Sequence, residues 1–263
     1  MNLTLAATLV GLGGAGGFSA GLLGFGGGVL MFPLLYYVPP LVGAAALDAK
    51  TVAAIVVCQV FFSTLTGAIA HFRSGRVQGR LALTAGTLSA LSAFAGSVAS
   101  QWASESFLLI LFGIVTLMVV LVMLLPAPGQ GAEETTVDNV FVARLPLAFF
   151  SLCTGLVIGF LGAGNFIFVP LLIYILKVPT RIAIGSNLVI AVMSTASGFL
   201  GKLITGQIPL LSAALVVAGA TLGALAGERV HGRLSSGVLR RIYAVLVTLI
   251  ALRVWLTILG FDK

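Results

Sequence analysis

Charge is what this sequence has least of. Only 8% of its 263 residues are Asp, Glu, Lys or Arg, while 59% are hydrophobic. A water-soluble domain uses about 25% charged residues to cover its surface, so that class is excluded. Seven acids and two histidines, scattered mostly in loops, do not assemble a nucleophile, an acid–base pair or a ligand cluster. The chain is therefore expected not to be an enzyme and to use neither a metal nor a cofactor. The two cysteines, Cys58 and Cys153, sit singly in apolar runs. They are too few for a disulfide framework or a metal site and read as small packing residues. The alternating short segments of a membrane barrel are also missing. So are the positive charges that open a secretory signal: Met1-Asn2-Leu3-Thr4 has none, and the first apolar stretch is expected to be retained.

What the chain does have is long apolar runs. They cover Leu81–Ser100, Phe107–Leu125, Phe141–Gly159, Ile182–Leu203, Leu210–Gly227 and Val238–Leu259. Each is long enough to cross roughly 30 Å of hydrocarbon as a helix, which predicts an all-α integral membrane protein embedded in a lipid bilayer. The net charge of +7 reads as basic cytoplasmic loops facing anionic lipid. Nucleic-acid binding is not expected, since no soluble basic segment is present.

The chain also repeats itself. Gly21–Leu35 reads GLLGFGGGVLMFPLL and Gly159–Leu172 reads GFLGAGNFIFVPLL. From Asp48 to Leu125 the first half lies on Pro179–Leu256 without a gap at an offset of 131, matching Ser63 to Ser194, Thr64 to Thr195, Gly67 to Gly198 and Gly96 to Gly227. The polar stretch Pro126–Asn139 separates the halves, giving repeats over 1–125 and 141–263 joined by a loop at 126–140. Arg73, Arg76 and Arg80 crowd one loop of the first half, whereas the counterpart loop, Leu203–Leu211, carries only its flanking apolar and neutral residues. Conversely, Gln101–Ser106 is free of basic residues and its counterpart carries Arg229, Arg233, Arg240 and Arg241. A basic loop that changes place between copies predicts that the repeats are inverted. About five helical segments per repeat are expected, with eight full spans plus two re-entrant pieces as the alternative.

Three adjacent glycines, Gly26, Gly27 and Gly28, precede Pro33; Gly164 and Asn165 precede Pro170. Such clusters unwind a helix, and freed amides survive in lipid only where protein or a watery cavity satisfies them. Unwound segments at matching places in two repeats point to a transporter's substrate site, and helix N-termini there favour an anion. Close helix packing is the simpler reading of Gly11 to Gly17.

Gly24-Phe-Gly-Gly-Gly-Val-Leu-Met-Phe-Pro-Leu-Leu35, Gly67-Ala-Ile-Ala-His-Phe-Arg-Ser-Gly75 and Gly162-Ala-Gly-Asn-Phe-Ile-Phe-Val-Pro-Leu-Leu172 resemble the sulfite exporter TauE/SafE family. The resemblance covers essentially the whole chain. It implies a multi-pass transporter of the bacterial cytoplasmic membrane for sulfite, thiosulfate, sulfoacetate or related organosulfonates. The second motif is one residue shorter than the first, and Asn165 stands where Gly28 would, so the two breaks are not equivalent.

Ser63 and Thr64, with Ser194 and Thr195, come after the breaks in both halves and are candidates to line a shared pocket, although such hydroxyls often bond their own turn. Gln59 and Asn187 need partners in lipid and join them as candidates. Lys50 and Arg181 occupy matching positions, as do His71 and Lys202. These four are candidates for charge attraction or gating, against a plainer role as interfacial anchors. An anion channel and a non-transporting scaffold subunit are the alternatives to a transporter. Self-association into a homo-oligomer is left open.

Overall fold

The computed structural model describes residues 3–23, 27–72, 77–123, 143–231 and 236–260, without the side chains at 23, 66–72, 123, 180–181, 228, 231, 236–240 and 243. Among these residues every regular element is helical. In the first half α1 runs Leu3–Leu23, α2 Gly28–Leu41, α3 Ala49–Phe72, α4 Gly79–Ala99 and α5 Glu105–Met123, with a 3₁₀ turn at Ser100–Trp102. In the second, α6 runs Arg144–Leu161, α7 Asn165–Pro170, α8 Thr180–Ile204, α9 Leu210–His231 and α10 Ser236–Ile258. Six of these helices are long and apolar enough to cross a membrane, while α2 and α7 belong to shorter apolar segments.

Apolar side chains supply both the inside and the outside. Leu83, Leu91, Phe149, Leu222, Leu249 and Leu252 are exposed, which in water would expose far too much apolar surface and in lipid is the expected contact. The centre is α3, buried continuously from Val52 to Val60, packed against α8. Stacked rings of Phe61 and Phe199 lie across that contact, 5.8 Å apart.

Lipid gives helices no hydrophobic reason to associate, so close backbone approach must hold them together. Helix α1 packs along α9, and α6 along α4. Both contacts are built on glycine. A Cβ on Gly17 would strike the Ala220 backbone, and one on Gly223 the backbone of Gly14. Across the other pair, a Cβ on Gly155 or Gly159 would strike the backbone of Ser89 or Ala93. The matched glycines serve the same contact in both places: Gly227 rests on the Phe18 carbonyl, and a Cβ on Gly96 would stand 2.7 Å from the Leu156 carbonyl. Packing glycines thus account for Gly13 and Gly17 of the early glycine run, whereas Gly11 faces open space.

The Pro-Leu-Leu motifs diverge in form. Pro33 lies inside α2, which continues to Leu41, but Pro170 ends α7 and gives way to a π-helical turn over Leu171–Ile175. Proline withholds a donor, and the next turn widens until the Leu176 N–H reaches back to Leu171 O at 3.0 Å. Cys58 is buried and Cys153 exposed, and both are free thiols.

Candidate functional site

Two interrupted helices meet at the centre. In the first, α2 starts at Gly28 after Gly27, whose left-handed backbone (φ 66°, ψ −1°) suits a residue without a side chain. The Gly27 carbonyl accepts from Leu30 N at 3.2 Å and Met31 N at 3.1 Å. In the second, Gly162 closes α6 in the left-handed form (φ 71°), its N–H donating to Ile158 O at 2.8 Å, and α7 restarts at Asn165. The restart is set by Gly164, whose carbonyl accepts from Ile167 N at 2.9 Å.

Each chain break is pressed against its neighbours. A Cβ on Gly27 would lie 2.5 Å from Gly16 O. One on Gly28 would lie 2.8 Å from Ala163 Cβ and 2.9 Å from Val60 Cγ2. Gly28 and Ala163 belong to opposite breaks, so the two interruptions touch. On the far side Gly162 packs on Ala53 and Val57 of α3. Phe112 of α5 ties the restarting helices together, stacked on Phe32 at 4.6 Å and edge-on to Phe166 at 6.5 Å. The first amides of α2 and α7, Gly28 and Val29, and Asn165 and Phe166, precede the first residue able to close an intrahelical bond. Their N–H groups, backed by the helix dipole, are turned toward the place where the chain is broken.

The polar side chains are distributed unequally around this point. Asn165, 2% exposed, offers Oδ1 to the Ser194 hydroxyl at 3.4 Å, while its Nδ2 has no hydrogen-bond partner among the described residues. In the first half the serine partner comes from within α3: Gln59 Nε2 donates to Ser63 Oγ at 3.0 Å, and Gln59 Oε1 is left without a partner there. Asn187 is fully buried, with neither amide atom partnered among the described residues. Leaving a buried polar group unsatisfied costs about 1–3 kcal/mol. A purely structural position would not favour an asparagine there. Asn187→Leu is accordingly expected to raise the thermal midpoint of the purified protein if the asparagine serves a ligand rather than the packing. A fall in the midpoint would make Asn187 a packing residue.

The hydroxyls are mostly committed to their own helices. Thr64 donates to Val60 O at 2.7 Å and Ser194 to Ile190 O at 2.8 Å, and Thr195 bonds Ala191 O. They can offer lone pairs to a ligand but not their protons.

The candidate cations separate. Lys50, at the start of α3, donates to Gln101 O at 2.9 Å. Lys202 near the end of α8 is fully buried and donates to Ser100 Oγ at 2.7 Å and Gln207 Oε1 at 3.3 Å. Gly26 and the side chains of His71 and Arg181 lie outside the described residues. Among the described residues no three His, Cys, Asp or Glu side chains come together. Sequence reasoning passed over Gly162 and Ala163, which form the second break, and Ser100 and Gln207, which hold Lys202. Gly162 was visible as the leading glycine of the repeated motif. Ser100 and Gln207 carried no signal, because neither has a counterpart of its own type in the other half.

The whole-chain comparison decides which family this arrangement serves. The model of the family described as "Sulfite exporter TauE/SafE" matches residues 9–254. The chain belongs to the TauE/SafE family. It is 31% identical over 253 residues to a "Probable membrane transporter protein" of Xylella fastidiosa (strain Temecula1 / ATCC 700964), covering 93% of each chain. It is 23% identical over 261 residues to "Probable membrane transporter protein YunE" of Bacillus subtilis (strain 168), covering 92% of this chain and 94% of that one. No solved structure matches. The TauE/SafE chain is thus a multi-pass membrane protein of a transporter family, as its motifs and apolar helices led one to expect.

Proposed function

We propose that this TauE/SafE protein is a secondary transporter of the bacterial cytoplasmic membrane. It moves small sulfur-containing anions, such as sulfite, thiosulfate, sulfoacetate or related organosulfonates, by alternating access. The observation that carries the reading is the contact of the two interrupted helices, Gly28 against Ala163, in the middle of an otherwise apolar bundle. Two restarting helices bring amide N–H groups and positive dipole ends to one point, where a negative charge gains and a cation loses. Gly27, Gly28, Gly164 and Asn165 supply backbone and amide donors, with Ser63, Thr64, Gln59, Asn187, Ser194 and Thr195 as surrounding polar groups.

The halves 1–125 and 141–263 act in this reading as inverted repeats that rock against one another. Support comes from the exchanged basic loops and from packing that occurs twice. Helix α1 lies on α9 as α6 lies on α4, and α2 meets α3 and α10 as α7 meets α8 and α5. The pressed breaks weigh against a standing pore, since an open channel needs a continuous polar lining. They suit a carrier caught with its pathway closed.

Uptake into sealed vesicles containing the pure protein tests the proposal. Sulfite, thiosulfate or sulfoacetate should accumulate in a saturable manner. Movement of cations or neutral solutes alone would defeat it.

A further inference from the structure

Lys202 is the only charged side chain buried completely among the described residues. Both of its hydrogen-bond partners are neutral oxygens, Ser100 Oγ and Gln207 Oε1. The acids at this end of the molecule, Asp48 before α3 and Glu105 at the start of α5, are exposed, and Glu105 Oε1 accepts from Ala49 N at 3.3 Å. The nearby cation makes matters worse for Lys202. Lys50 donates to Gln101 O, the residue next to Ser100, so two positive charges converge on one 3₁₀ turn. Burying an ammonium without a counter-charge is costly, and neutral oxygens recover only part of that cost.

Its backbone lies one turn along α8 from the contacts that seat the second break, while its ammonium reaches to Ser100 and Gln207. Gly198, one turn earlier on the same face of α8, has its Cβ direction 3.3 Å from Val57 Cγ2 and 3.9 Å from Ile158 Cγ2. Gly164 of the break rests on that same Ile158, and Gly162 rests on Ala53 and Val57. Lys202 therefore follows Gly198 by four residues, about 6 Å along the axis of α8, and Gly198 is the residue of that helix that meets Val57 and Ile158.

The cage can also let go. Ser100 Oγ and Gln207 Oε1 are 2.8 Å from each other, and Gln207 Nε2 donates to Ser97 O at 2.9 Å. With the ammonium in place the Ser100 hydroxyl already has Gln207 Oε1 and, at 2.7 Å, Ser97 O as acceptors, so both groups keep a partner without the lysine.

From this geometry we infer that Lys202 is an anion-binding residue of the pathway, at which a sulfur oxyanion or sulfonate replaces Ser100 and Gln207 as the partner of the ammonium. The inference rests on the reading of the protein as an anion transporter and names the residue that supplies the counter-charge. Lys50 draws the anion to the same turn.

The test is anion-dependent thermal stabilisation of the purified full chain, wild type against Lys202→Gln and Lys202→Arg, with sulfite, thiosulfate, sulfoacetate, phosphate and chloride. Wild type should be stabilised by at least one of the sulfur anions. Lys202→Gln should need at least about tenfold more of it, and Lys202→Arg should respond nearly as wild type does. Without anion, Lys202→Gln should melt no lower than wild type, because the uncompensated charge is gone; a structural pin would make it melt lower. Equal anion response in wild type and Lys202→Gln overturns the inference and leaves the transporter reading standing. A wild type stabilised by none of the anions overturns both. Stabilisation by phosphate or chloride only, lost in Lys202→Gln, supports the lysine as an anion site and removes the sulfur-anion assignment.

Discussion

Vesicles carrying Gly28→Leu are expected to take up anion roughly 10- to 100-fold more slowly than wild type, while the variant elutes from a sizing column as wild type does. The first atom of the new side chain would fall 2.8 Å from Ala163 Cβ and 2.9 Å from Val60 Cγ2, inside van der Waals contact on both sides. Overpacking of this kind costs about 1–3 kcal/mol. That cost falls mainly on the conformation in which the two breaks touch. A penalty borne by one of two alternating states shifts their balance tenfold for every 1.4 kcal/mol or so, and a carrier that must visit both states slows accordingly. A second pair of variants isolates the contact. Gly28→Ala alone should slow uptake, and adding Ala163→Gly should restore part of it, because the methyl group has only moved across the contact. Unchanged uptake in Gly28→Leu, or strictly additive losses in the pair, would mean that the breaks do not meet during transport.

Substitutions in the glycine seams should act on assembly instead. Gly159→Leu and Gly17→Leu are expected to leave little or no folded protein after detergent extraction. Each new Cβ would strike neighbouring backbone: Ser97 N at 2.5 Å and Gly96 C at 2.7 Å for Gly159, and Ala220 C at 2.6 Å for Gly17. Backbone cannot swing aside as a side chain does, so the helices must separate, and the cost should exceed the usual 1–3 kcal/mol of overpacking. Gly11→Leu is the internal control. Nothing lies within 4 Å of its Cβ direction, and it should extract and melt like wild type. Comparable yields and melting for Gly17→Leu and Gly11→Leu would show that close backbone approach is not what binds α1 to α9.

Much of this fold is legible in the residues because lipid restricts the choices. A run of about 20 apolar residues has one stable way to cross a bilayer, and the helices α4, α5, α6, α8, α9 and α10 fall where those runs lie. The breaks were legible for a similar reason: Gly27 and Gly162 take backbone forms that other residues resist, and a repeated Gly-rich motif advertises them. The π turn after Pro170 was not legible. Pro33 stands in the same motif and its helix continues, although the residues after the two prolines are nearly alike. Leu34-Leu35-Tyr36 and Leu171-Leu172-Ile173 offer no local rule that separates a continuing helix from a widened one. The Lys202 cage was only half legible. The lysine was singled out as the repeat counterpart of His71, but its two partners come from α4's end and the α8–α9 turn, a convergence set by tertiary packing. The hydroxyl residues show the limit of pattern alone. Matching Ser-Thr pairs in both halves suggested donors for a ligand, and three of the four spend their protons on the carbonyl of their own preceding turn.

An anomalous-scattering structure of the protein with selenite, the heavier analogue of sulfite, examines the anion site most directly. The difference peak is expected where the breaks meet, within hydrogen-bonding distance of the amide nitrogen of Gly28 or Asn165, or at the Lys202 ammonium beside Ser100 and Gln207. A peak confined to the protein surface, or helices that run through Gly27 and Gly162 without interruption, would contradict it.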